Sequence, residues 1–120
     1  MTAFGLALEK IAATVPEIQM VMVTGADAIP VERLVVRPAP NLEAVAAEYT
    51  TLLRPSLLAA TDTNLGELEE LSVVTEKMAA ILVAITPDYF LFAALEPGAL
   101  MGRARFALRV ASLSLIRELD

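Results

Sequence analysis

Acid–base chemistry in this chain could fall only to its carboxylates, to Lys10 and Lys77, or to Tyr49 and Tyr89, because the 120 residues include no histidine and no cysteine. A thiolate nucleophile, a disulfide framework and a zinc site built on Cys or His are excluded by the same absence. Three clusters then have the residue types for chemistry. Glu67, Glu69, Glu70 and Glu76 lie close together on a mixed stretch and could in principle share a proton or hold a metal. Nothing in the sequence around them marks a pocket that would shift their pKa values, so they read as a solvated strand edge. Arg103, Arg105, Arg109 and Arg117 could grip phosphate, but the charge around them is acidic and they read as a solvated helix face. Gly98 and Gly102 suggest a phosphate loop, which requires GxxxxGK[ST]. Here the glycines are one residue too close and Arg103-Ala104 stands where Lys-Ser/Thr is needed, so they read as a helix start and a close backbone contact. Neither lysine sits in a recognisable motif. The expectation is a protein that is not an enzyme and needs no cofactor.

Composition points to contacts instead of catalysis. Hydrophobic residues make up 57% of the chain, against about 45–50% in ordinary soluble domains. Alanine explains part of the surplus; the rest calls for a second buried surface, supplied by a partner or an identical copy. The formal net charge of −6 argues against duplex nucleic acid and anionic membranes as partners. The opening Met1-Thr2-Ala3-Phe4-Gly5 has no basic n-region and no cleavage signal, so a cytoplasmic location is expected. Length and the lack of a Gly/Ser-rich linker or repeat fit a single domain over 1–120.

Hydrophobic periodicity gives the elements. Phe4, Leu8, Ile11 and Val15 form one stripe of a helix over about 3–14, ended by Pro16. Residues 17–24 read as a central strand, with Gln19 alone interrupting the apolar run between Glu17 and Thr24. Residues 29–36 form a second strand whose Pro30, Glu32 and Arg33 suit an edge. Asn41 reads as the N-cap of a second helix, which Pro55 should kink or split. Three strands follow at 68–76, 78–85 and 89–95, then a long helix to Leu119. The run 78–95 is barely long enough to span a bilayer, but Pro87 and Asp88 at its centre favour a buried hairpin. Two adjacent strands without polar alternation must be covered on both faces. The whole therefore reads as an α+β fold: a five-stranded antiparallel sheet with helices on both faces, in the order α-β-β-α-β-β-β-α.

This order, over nearly the whole chain, resembles the roadblock/dynein light chain family, whose relatives are the longin and profilin-like folds. Three stretches carry the likeness: the mixed strand GELEELSVVTE, the two apolar strands after it, and the helix opening Pro97-Gly98-Ala99-Leu100-Met101-Gly102-Arg103-Ala104-Arg105. In the family the corresponding helix opens with a Leu-Gly-like step and basic residues; here it is Met101-Gly102. MVMVTGADAIPVERL is similar to the family's opening hairpin, with Asp27-Ala28-Ile29-Pro30 replacing the familiar Asp-Gly-Leu-Pro turn. The resemblance implies strand order 2-1-5-4-3. It implies a homodimer through the second helix and third strand, and a non-enzymatic role as regulator, activator or scaffold of a Ras-like small GTPase, in bacteria often in motility or polarity. The residues placed at that interface are Tyr49, Leu52 and Leu53 on the helix and Leu68, Glu70, Ser72 and Val74 on the strand. Amphipathicity alone leaves open whether Tyr49, Leu52 and Leu53 face the chain's own core or a partner. The competing reading is a profilin- or PAS-like sensor, which needs a concave pocket with convergent polar groups. Helices filling both sheet faces should leave little room for one.

Overall fold

A computed structural model describes residues 2–119. Its elements run α1 (Ala3–Thr14), β1 (Ile18–Gly25), β2 (Pro30–Val35), α2 (Leu42–Thr50), α3 (Leu53–Asp62), β3 (Glu70–Val74), β4 (Ala79–Thr86), β5 (Tyr89–Leu95) and α4 (Met101–Leu119). The five strands form one antiparallel sheet in the order β2-β1-β5-β4-β3. The order follows from the side chains: β1, β4 and β5, the three strands without polar alternation, occupy its middle and are almost wholly buried.

Each face has its own core. Val21, Val23, Ile81, Val83, Leu91 and Ala93 pack with Leu8 and Ile11 of α1 and with Ala104, Leu108 and Leu115 of α4. Met20, Met22, Leu82, Phe90 and Phe92 point to the opposite side, onto Leu42 and Ala46 of α2 and Leu53 of α3. Because a strand's side chains alternate, a continuous apolar run feeds both layers at once. Among the described residues, no helix is long and apolar enough to cross a membrane.

The first helix has the bounds the sequence predicts, and the second departs from the sequence reading at two places. Thr2 caps α1: its hydroxyl accepts from the Gly5 N–H at 2.9 Å and donates to the Glu32 carboxylate. Asn41, read as an N-cap, makes no side-chain cap; it adopts the left-handed region, φ 69°, which Asn tolerates better than most residues. The second helix is split, as Pro55 requires. The break lies at Thr51 and Leu52, ahead of the proline itself. A proline ring clashes with the carbonyl four residues back, here that of Thr51, and is tolerated within the first turn of a new helix.

Candidate interaction surface

The site is an edge. β3 pairs with β4 on one side and ends the sheet on the other. The Ala84 N–H donates to the Glu69 carbonyl and the Thr75 N–H to the Met78 carbonyl. In an antiparallel ladder such hydrogen-bonded positions alternate, so residues 69, 71, 73 and 75 turn their backbone groups toward β4. Residues Glu70, Ser72 and Val74 turn theirs outward, to an open margin. The opposite edge is managed differently. β2 carries Pro30 at its start, Glu32 bonded to Thr2, and Arg33 paired with Glu43 of α2 at 2.5 Å. Proline and paired charges blunt an edge; β3 has no proline, its paired charge is Glu70 at its start, and Val74 at its other end is 72% exposed.

Side-chain direction divides the strand. Glu70, Ser72 and Val74 stand opposite Val83, Ile81 and Ala79, on the α1/α4 face; Leu71 and Val73 stand opposite Leu82 and Ala80, on the α2/α3 face. Leu68 precedes the strand and packs against the α2/α3 core. Of the helix residues, Tyr49 is half-buried against that core, Leu52 is 39% exposed, and Leu53 is fully buried and has no surface to offer. The sequence reading missed Leu71, Val73 and Val45, which face the α2 side of the margin. The alternation could have found them only once the register with β4 was known.

Glu70 is not the solvated edge residue expected. Its side chain is 17% exposed and accepts from Arg105 Nε at 2.7 and 2.9 Å and from Arg109 Nη2 at 3.2 Å; Arg109 also approaches Glu69 at 3.6 Å. The pairing raises the Arg105 pKa above its ordinary value, first through the hydrogen bond and then through charge attraction. Arg103 donates to Glu17 at 2.6 Å. Three of the four arginines read as a solvated helix face are therefore clasps that hold α4 to the margin strand and to the start of β1.

Helices do not fill the α2 face completely. A hollow of about 540 Å³ opens between α2 and the β3–β4 hairpin, lined by Val45, Tyr49, Val73, Met78, Asn41 and Lys77 among others. Gln19 Oε1 is buried there without a hydrogen-bond partner among the described residues. The expectation of little room on this face is corrected: α2 ends at Thr50, and the hollow remains open beside Val73 and Thr75 at the end of β3. Among the described residues no cluster of acidic side chains has the arrangement of a metal site.

No family model matches the sequence, and neither does any curated protein. Solved structures do. MglC from Myxococcus xanthus is 29% identical, with 98% of this chain and 99% of that one aligned at a TM-score of 0.71. Myxococcus xanthus MglB aligns over 99% and 96% of the two chains at a TM-score of 0.85 and 10% identity. A roadblock/LC7 domain from Streptomyces avermitilis covers 95% of each chain at a TM-score of 0.81 and 12% identity. The fold is thus that of the roadblock/LC7 domains and of the gliding proteins built on them.

Proposed function

We propose that this chain is a non-enzymatic roadblock-type interaction module that pairs with a second copy of itself and, as a dimer, binds and regulates or scaffolds a Ras-like small GTPase. The observation that carries the proposal is the open margin of β3. Glu70, Ser72 and Val74 present outward backbone groups, with Tyr49 and Leu68 on the α2/α3 side of the sheet next to them, while the other sheet edge is blocked. An unpaired edge is a template for another strand. A strand meeting its own mate across a two-fold gives a self-complementary contact that leaves no new edge open. Centred on Ser72, antiparallel pairing would set Glu70 against the mate's Val74 and join two five-stranded sheets. Leu53 would support this contact from within the core and not touch the partner.

The GTPase assignment rests on the likeness to MglC, MglB and roadblock domains. Sedimentation equilibrium tests the dimer: a 25.6 kDa species, twice the 12.8 kDa chain, is expected at micromolar concentration, and a strict monomer overturns the reading. Binding of the small GTPase encoded nearest to this protein, loaded in turn with GDP and with a non-hydrolysable GTP analogue, tests the partner. A difference between nucleotide states is expected, and indifference to both removes the assignment.

The sensor reading draws on the hollow beside α2, where Gln19 Oε1 lacks a partner. It predicts a ligand that raises the melting temperature of a monomeric variant. Dimer formation that masks the hollow predicts no such ligand.

A further inference from the structure

The face of the molecule away from α2 has a feature that β3 pairing leaves untouched. Phe106, Val110 and Leu113 stand in a row along the outer side of α4; Phe106 and Leu113 are each 71% exposed. Beside the row, α1 and α4 enclose a groove of about 310 Å³ with a floor of Ala7, Ile11, Ala107 and Ala111. The Glu17–Arg103 pair sets the end of α1 beside the start of α4, so the helices run antiparallel. Lys10 and Val110 therefore lie near the groove's midpoint. Lys10 is the single charged side chain lining it and makes no ion pair among the described residues. Its sequence neighbour Glu9 turns the other way, toward Arg33 on the β2 side of α1.

We propose that this groove docks an amphipathic helix of a different protein, apolar on one face with a carboxylate at its middle to meet Lys10. The small-residue floor admits a helix closely, and Phe106 and Val110, one turn apart, wall its α4 side. A second copy of this chain is the wrong occupant. A two-fold through the groove brings Lys10 against its own mate, and like charges facing each other select against a pairing. An anionic lipid surface is repelled by the net charge of −6 and finds one unpaired cation in the groove.

The test is fluorescence anisotropy with two labelled 18-residue model helices of Leu, Ala and either Glu or Lys, leucines at i, i+3, i+4 and i+7. The acidic helix is expected to bind and the basic one not. Phe106→Glu and Val110→Glu are each expected to weaken binding by about tenfold or more, and Lys10→Glu to reverse the preference. Binding of neither helix, equal binding of both, or indifference to all three substitutions overturns the proposal. So does a Phe106→Glu protein whose sedimentation shifts, which would assign the face to a second copy, or Phe106-dependent pelleting with phosphatidylglycerol vesicles, which would assign it to lipid. Each variant is checked by circular dichroism. Dimer formation at β3 is read separately by sedimentation, so failure here leaves that reading standing.

Discussion

Ala28 occupies a backbone position that suits glycine. In the β1–β2 turn it has φ 69°, with its N–H donating to the Gly25 carbonyl at 3.0 Å and Asp27 Oδ1 accepting from the Ile29 N–H at 3.0 Å. A left-handed alanine costs roughly 1–2 kcal/mol, and glycine there returns about half of that as extra freedom of the unfolded chain. Ala28→Gly is expected to stabilise the protein by about 0.5–1 kcal/mol in urea denaturation; no gain would mean the turn relaxes around the alanine. Neighbouring residues of one helix also part company. Leu53→Ala should cost about 2–5 kcal/mol, because Leu53 is fully buried and the cavity persists. Leu52→Glu, at a half-exposed site, should leave the midpoint within about 0.5 kcal/mol and weaken self-association in sedimentation. The stripe that placed both leucines together could not separate them. Two adjacent helical positions differ by 100°, and only the packing of the start of α3 on the sheet decides which one points inward.

At the scale of elements, most of the fold was legible. Uninterrupted apolar runs at β1, β4 and β5 required cover on two sides, and the charge and proline in β2 marked an edge; these are properties of the residues themselves. The helix break was legible as an event but not in position, since a proline disturbs the carbonyl four residues before it. The candidate surface was legible less well. Glu70 and its arginines are 35 and 39 residues apart in sequence, and no local pattern says that α4 will cross over the margin strand. That clasp has consequences. Glu70→Gln removes the charge from a contact serving both Arg105 and Arg109, and since the arginines are more than a third exposed the loss should be on the order of 1 kcal/mol. Arg105 carries a raised pKa, so its contribution is complete below the ordinary guanidinium value and fades only as pH rises beyond it. From the arginine side, then, stability should be flat through the neutral range. A step in urea midpoint between pH 7 and 9 that vanishes in Arg105→Met would contradict this.

For the whole molecule, the two sheet edges differ in what they permit, and thermal stability can report the difference. A protein that folds as an independent monomer melts at a temperature indifferent to its concentration, whereas one whose folded state is a dimer gains about 1.4 kcal/mol for each tenfold rise in concentration. For a dimer of this size that corresponds to a rise of about 3–6 °C. Ser72→Pro removes the N–H at the centre of the open margin. Position 72 turns its backbone away from β4, so the substitution deletes no ladder bond within the chain. The wild-type melting temperature is expected to climb with concentration, while that of Ser72→Pro stays constant and meets the wild type's dilute limit. Should Ser72→Pro keep the slope, self-association runs through some surface other than β3. Should it unfold outright, Val74→Glu, which leaves the backbone donors in place and sets a carboxylate against the mate's Glu70, separates the two causes by lowering the slope without lowering the dilute-limit stability.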